Sequence, residues 1–457
     1  MRTKLYQFQQ EDVEQIERWK GKALVASEVG TGKTPIYLAY LERNMPAGRS
    51  AVVCCPAGIK YNWAKEVRKH LGIEVMVAEG TLAPMTVWKR PRIVVVNYDI
   101  LEPWLPYLVR LQPFSVCLDE AVYCKNREAG RTIAAIRLVR GIPSVVVMTA
   151  TPLVNKPVDL WTLLHMLDAR EWGVYYSFAH RYCAPRKGYR GCWVFDGACN
   201  TDELHARLVA KHLIRRRKVD VMGELPQIIH NAISLAVSEE SMKEYRTAER
   251  SLREWFGKYV RLEGGHLVGD VLGAQNKTTM LKQLVAGIKV DAVTRWVEDF
   301  LESGERLLLF CHHKLMVKAL AKRFKGCAVV NGEVIGRKRQ EEYDRFNQGG
   351  TALLVGNMDA CGTGWSAKGC SNVAVAEYPW RPDTLLQCVG RCHGIERGVE
   401  GIPTTAHYLS ANGTIEEYVC EKLLAKQGYA DQVIDGVKDR GQLSVLEDVV
   451  KRLMKTA

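Results

Sequence analysis

The feature that most restricts the fold is a rhythm of short apolar runs, rich in Val, Ile and Leu, each followed by a stretch with helical spacing. The runs fall at residues 51–55, 93–97, 116–118 and 144–148, and return at 307–311, 328–331, 352–355 and 373–376. A strand apolar at every position is buried on both faces, as in a parallel sheet covered by helices. Two such sets in tandem predict an α/β chain of two similar lobes, and 457 residues exceed what one hydrophobic core usually organises. The expected lobes are residues 1–225 and 289–425. Between them, residues 226–288 turn charged and helical around a glycine-bearing loop, LEGGHLVGDVLG, and are read as a helical connector. Residues 426–457 are read as a helical tail, packed back on the lobes or solvated.

The strongest chemical signal is Ala26-Ser-Glu-Val-Gly30-Thr31-Gly32-Lys33-Thr34, preceded by apolar Ala23-Leu-Val and followed by the helix-like IYLAYLER. Strand, glycine turn and helix form the frame that a phosphate loop requires. Glycines let backbone N–H groups approach phosphate oxygens, and the helix N-terminus adds partial positive charge. Lys33 suits the β- and γ-phosphates, and Thr34 suits magnesium. A strict form of the motif has glycine where this chain has Ser27. Val116-Cys-Leu-Asp119-Glu120 ends an apolar run in two carboxylates, at the strand edge where α/β sheets bind ligands. Asp119 is the candidate magnesium ligand, and Glu120 the group that polarises attacking water.

Sixty-four Lys and Arg against fifty-one Asp and Glu give a net charge of +13, a field that favours a polyanionic partner. The opening MRTKLYQFQQEDVE lacks the apolar core of a signal peptide, so the fourteen cysteines are expected to be reduced. Cys183, Cys192 and Cys199 are too irregularly spaced for a zinc site. No apolar run approaches the ~20 residues needed to span a bilayer, so no membrane partner is expected.

Several further stretches resemble Swi/Snf-type members of helicase superfamily two. Asp119-Glu-Ala-Val-Tyr-Cys-Lys125-Asn126 resembles the family's DEAH-like second motif, and Thr149-Ala-Thr151-Pro152-Leu-Val-Asn155 its third. Pro56 with Asn62-Trp63-x-x-Glu66 resembles motif Ia, and Asn97-Tyr98-Asp99 motif Ib. The stretch Ile214-Arg-Arg-Arg-Lys218-x-Asp220-Val221-x-x-Glu224-Leu225-Pro226 is similar to the end of the family's first lobe. In the second lobe, Phe310-Cys-His312-His313-Lys314 resembles motif four, with a double histidine like that of the annealing-helicase branch. Gly362-Thr363-Gly364 with Ala376-Glu377-Tyr-Pro-Trp380-Arg-Pro382 resembles motif five and its sequel, and Gln387-x-x-x-Arg391-Cys-His393 motif six. Phe8-Gln9 resembles the family's glutamine motif.

The resemblance implies two tandem RecA-like parallel-sheet lobes that hydrolyse ATP with Mg2+ in the cleft between them. The implied ATP site is Gln9, Gly30, Thr31, Gly32, Lys33, Thr34, Gly364 and Arg391; the implied catalytic groups are Lys33, Asp119, Glu120, Gln387 and Arg391. Asn62, Lys65, Tyr98, His313 and Thr363 are the implied contacts to DNA, duplex or forked and read without regard to sequence, with RNA as an alternative. Three departures stand out: Val122 replaces the usual histidine, Gly394 the usual second arginine (with Arg397 nearby as a substitute), and Cys361 a common glycine. The expected activity is DNA translocation in replication, recombination or repair. The alternatives are a strand-separating DNA or RNA helicase and a nucleic-acid-binding scaffold with weakened ATPase. A chain that is almost all motor suggests a bacterial or phage protein, monomeric or weakly oligomeric, acting in the cytoplasm at the nucleoid, or in the nucleus if eukaryotic.

Overall fold

The computed structural model describes all residues except 87–89, 151–156, 188–191, 196, 222–227, 264–265, 362–364, 394–402, 427–444 and 456–457. The described residues fall into two units, one from residues 1–225 and the other from residues beyond 225.

In the first unit the expected strands form as β1 (Lys22–Val25), β2 (Ala51–Cys55), β3 (Met76–Val77), β4 (Ile93–Asn97), β5 (Ser115–Asp119) and β6 (Ser144–Met148). A short ribbon, β7 (Arg186–Lys187) with β8 (Trp193–Val194), stands apart, and β9 (Leu213–Ile214) completes a seven-stranded sheet in the order β3-β4-β2-β5-β6-β1-β9. Every pairing in that sheet is parallel. Successive side chains point to opposite faces, so each strand feeds two cores. Leu24, Val52, Val94, Val116 and Val147 enter one core, and Val25, Val53, Val95, Cys117 and Val146 the other. This double burial is why the runs are apolar throughout instead of alternating.

The second unit holds β10 (Ile229–Leu235), the antiparallel ribbon of β11 (Val260–Glu263) and β12 (His266–Gly269), then β13 (Leu307–Cys311), β14 (Ala328–Val330), β15 (Leu353–Asn357), β16 (Asn372–Val375) and β17 (Thr405–Ala411). Its six-stranded sheet runs β10-β17-β16-β13-β15-β14, again parallel in every pairing. The expected α/β class with two parallel sheets is what forms.

The helical connector needs correction. Its helices are present, at Glu239–Tyr259 and Val271–Ile288, but they join the second unit's core through Met242, Tyr245, Phe256 and Leu281. Residues 229–235 form an edge strand paired with β17 along all seven positions. Because most of this strand is exposed, no apolar run marks it. The tail helix Val445–Lys455 buries Val445, Val449, Val450 and Leu453 in the same core. That spacing is one helical face, and it decides the question left open by sequence in favour of packing. Among the described residues, no helix is long and apolar enough to cross a membrane.

Candidate active site

β1 runs directly into the glycine loop. Gly30 and Gly32 have φ of +86° and +82°, in the left-handed region that residues with a Cβ avoid. A Cβ on Gly32 would also lie 2.3 Å from Gln9 Nε2. The helix Lys33–Asn44 begins at once, so its N-terminal partial charge lies at the loop. Pro35 sits in its first turn, where a missing N–H breaks no intrahelical bond. Lys33 Nζ donates to the carbonyls of Ser27 at 2.8 Å and Glu28 at 3.1 Å, which keeps its charge over the loop. Thr34, half-buried, follows in the same turn.

Gln9 is buried against this loop. Its Nε2 donates to the carbonyl of Thr31 at 3.0 Å, and its Oε1 accepts from the backbone N–H of Tyr6 at 3.1 Å. The amide therefore ties the first helix, Gln7–Arg18, to the glycine turn.

The arginine-rich stretch supports the loop from the other side. Arg215 donates to the Ala26 carbonyl at 2.7 Å, and the Arg216 backbone N–H donates to Ser27 Oγ at 3.2 Å. Ser27, which departs from the strict phosphate-loop motif, is wholly buried and supplies an acceptor that glycine lacks. The Arg216 side chain reaches Asp12 at 2.8 Å and Glu11 at 3.1 Å. Burial pushes the Asp12 carboxyl up to about 6, although Arg216 pulls in the opposite direction. Sequence reasoning singled out neither Ser27 nor Asp12 as structural partners of the arginines.

The carboxylate pair stands at the end of β5. Val25 and Asp119 are both in register with Met148 of the intervening strand β6. The loop and the acids therefore leave the sheet level with each other, two strand spacings or roughly 10 Å apart. Asp119 Oδ2 accepts from Trp63 Nε1 at 2.8 Å, and Oδ1 from the backbone N–H of Glu120 at 2.9 Å. Glu120 itself is left-handed, with φ of +47°, a strained state for a residue with a side chain. Tyr98 donates its hydroxyl to the Asp119 carbonyl at 2.8 Å and is buried. It thus lies beneath the acidic turn, whereas sequence had suggested a nucleic-acid contact. Lys65 is exposed and Asn62 half-buried on the helix Lys60–Leu71, which also exposes Arg68 and Lys69.

In the second unit, buried Glu377 organises the double histidine. Its Oε2 accepts from the backbone N–H groups of His312 at 2.8 Å and His313 at 2.9 Å, and its Oε1 pairs with His313 Nδ1. Burial alone would raise the Glu377 carboxyl; these hydrogen bonds and the His313 ring hold it below its ordinary value. Burial, with Lys282 and His313 nearby, lowers His312 to about 4. Arg391 is also buried. Its Nη1 donates to the Trp365 carbonyl at 2.6 Å and its Nε to the Gln387 carbonyl at 3.1 Å. Gln387 precedes it on the helix Pro382–Val389. Thr151, Pro152, Asn155, Glu224, Thr363, Gly364, Gly394 and Arg397 lie outside the described residues.

The first unit thus gathers Gln9, the glycine loop, Lys33, Thr34 and the two acids at one edge of its sheet. Three features fit a nucleoside triphosphate with magnesium: a glycine turn closed to a Cβ at Gly32, a lysine over it, and an oriented carboxylate level with it.

Residues 11–307 match the SNF2-related domain, and residues 289–396 the helicase conserved C-terminal domain. The chain is 27% identical to the DNA annealing helicase and endonuclease ZRANB3 of Mus musculus, over 97% of this chain and 42% of the relative. It is 25% identical to the SWI/SNF-related matrix-associated actin-dependent regulator of chromatin subfamily A-like protein 1 of Drosophila melanogaster, over 94% of this chain and 56% of that one. It therefore spans about half the length of these curated relatives. A solved Sulfolobus solfataricus SWI2/SNF2 ATPase core in complex with dsDNA aligns at a TM-score of 0.43 and 19% identity, covering 95% of this chain and 94% of the other.

Proposed function

Because the chain belongs to the SNF2-related domain family, we propose that it is a DNA-dependent ATPase that moves along or remodels duplex or forked DNA in replication, recombination or repair. The observation that carries this reading is the level placement of the glycine loop and the Asp119–Glu120 turn on either side of Met148. Gln9 holds the loop where an adenine is read, and Gly30, Gly32 and Lys33 receive the triphosphate. Thr34 and Asp119 would hold magnesium, which when bound neutralises charge on the phosphate oxygens. Glu120, at the strained end of the turn, polarises the attacking water.

The net charge of +13 and the exposed Lys65, Arg68 and Lys69 on one helix favour contacts to phosphates, which bind without regard to sequence and weaken with salt. The name of one of the curated relatives, a DNA annealing helicase and endonuclease, favours work on DNA strands that re-anneal. RNA is the rival ligand, and strand separation the rival activity.

The test is ATP hydrolysis with and without single-stranded, duplex and forked DNA and RNA duplexes, in wild type and Lys33→Ala. The expected result is hydrolysis stimulated by duplex or forked DNA that falls by ~1000-fold or more without the lysine, in the range of groups that neutralise transferring phosphate. DNA-stimulated hydrolysis that survives Lys33→Ala in a clean preparation overturns the assignment. Stimulation by RNA alone, or strand displacement without translocation, replaces the proposed activity with its rival.

A further inference from the structure

Away from the glycine loop, the first unit gathers Asp168, Glu171 and His212, whose candidate ligand atoms all lie within 4.8 Å of one another. His212 is 4% exposed. Its Nδ1 lies 3.0 Å from the carbonyl of Lys22, and since a carbonyl can only accept, Nδ1 carries the proton. In the neutral ring Nε2 then presents a bare lone pair. It has no hydrogen-bond partner, and the nearest carboxylate oxygen, Glu171 Oε2, is 3.6 Å away. An imidazolium bound to that carboxylate would close to about 2.7–2.9 Å. A longer separation between two basic atoms leaves room for an ion between them.

We propose that His212, Glu171 and Asp168 form a binding site for a divalent transition ion of the zinc class. A histidine whose second ring nitrogen donates to a backbone carbonyl is the usual arrangement of a metal ligand, because that bond fixes the tautomer and the ring plane. One imidazole with two carboxylates suits zinc, and the imidazole disfavours magnesium. Ligand atoms around a tetrahedral zinc lie ~3.4 Å apart, so a group spread over no more than 4.8 Å has to contract by at most ~1.4 Å at its widest. Asp168 is already fixed by its Oδ1, which accepts from the N–H groups of Arg170 and Glu171 at 3.0 and 3.3 Å. Glu171 also meets Arg207 through Oε1 and Lys211 through Oε2, each at 3.1 Å. Lys211 is well exposed and can yield Oε2 to the ion while Arg207 keeps Oε1.

The ion would join the end of the helix Val158–Leu167 to the residue that leads into β9. The His212 carbonyl already accepts from Leu24 of β1 at 2.7 Å, so such a clip would brace the strand that carries the glycine loop. This site is independent of the motor reading.

The test uses the full chain stripped by chelation and dialysed against Zn2+, in wild type, His212→Gln and Asp168→Asn. Cysteines also bind zinc, so the informative quantity is the difference between proteins. Wild type should retain one equivalent more than either variant, with affinity at that site falling by ~100-fold or more, beyond loss of an outer-shell partner. Wild type should show more Co2+ d–d absorption, and a larger Zn2+-induced rise in melting temperature, than either variant. Equal zinc content in all three, with the same thermal response, means cysteine binding and overturns the site. If His212→Gln fails to fold, Asp168→Asn, altered at a half-buried carboxylate, decides alone.

Discussion

Trp63 donates its indole N–H to Asp119 Oδ2 at 2.8 Å, with both residues buried. The other carboxylate oxygen accepts from Glu120 N–H at 2.9 Å, so both oxygens are oriented before any ion arrives. The tryptophan of the Asn62-Trp63-x-x-Glu66 stretch thus acts on the acidic turn from a helix two motifs earlier in the chain.

Trp63→Phe keeps most of the buried ring and removes only the donor. The Mg2+ concentration needed for half-maximal ATP hydrolysis should rise ~10–100-fold, the usual cost of losing an outer-shell partner. Stability should fall by ~1.5–3 kcal/mol, as for a lost hydrogen bond to a charged group. A Mg2+ titration of hydrolysis and a urea unfolding curve read the two effects; an unchanged Mg2+ requirement would make Trp63 a packing residue only.

At Gly32 the backbone is left-handed and Gln9 Nε2 occupies the space of a Cβ. Gly32→Ala should cost ~1–2 kcal/mol for the left-handed alanine alone and push Gln9 off the Thr31 carbonyl. The accompanying functional sign is a loss of preference for ATP over GTP, measured as the ratio of their KM values. Retained preference would mean that Gln9 does not read the base.

Arg391 holds the Trp365 and Gln387 carbonyls within the second unit. Arg391→Ala should abolish turnover by ~1000-fold or more while ATP binding to the first unit persists, and should lower the unfolding free energy of the second unit by ~1–3 kcal/mol as a buried carbonyl loses its donor. Assays well below the melting transition separate the effects. Wild-type turnover in a destabilised variant would reduce the arginine to a structural strut.

Asp12 gives a pH signature. Its folded value is raised from 3.8 to about 6, so the folded chain binds the proton more tightly than the unfolded one. The stabilisation from this group is complete below ~4 and is lost as pH rises towards ~6, by up to ~3 kcal/mol. Asp12→Asn should flatten that segment of the stability–pH curve, followed by urea unfolding between pH 4 and 7. A curve as steep in the variant would assign the effect elsewhere.

The parallel sheets were legible because double burial forces apolar runs: residues 51–55, 93–97, 144–148 and 307–311 became strands with those bounds. The glycine loop was legible because close approach to phosphate leaves few sequences that can do it. β10 was not, since an edge strand with mostly exposed side chains carries no such run. Nor were the bonds from Trp63 to Asp119 and from Arg216 to Asp12, which join residues 56 and 204 positions apart. Spacing says which face a side chain takes, and only the folded sheet says what lies opposite. Tyr98 shows the same boundary: its motif was recognisable, but its bond to the Asp119 carbonyl was not.

The pairing of β9 with β1 has a consequence for the order in which the molecule is made. Leu24 and Val25 find Leu213 and Ile214 as neighbours, and the loop beyond them leans on Arg215 and Arg216. A nascent chain can therefore display the whole glycine motif long before it owns the strand and arginines that brace the proposed nucleotide site. Closing contacts across so long a span is intrinsically slow, so nucleotide should begin to protect the growing chain only once Arg216 has cleared the ribosome.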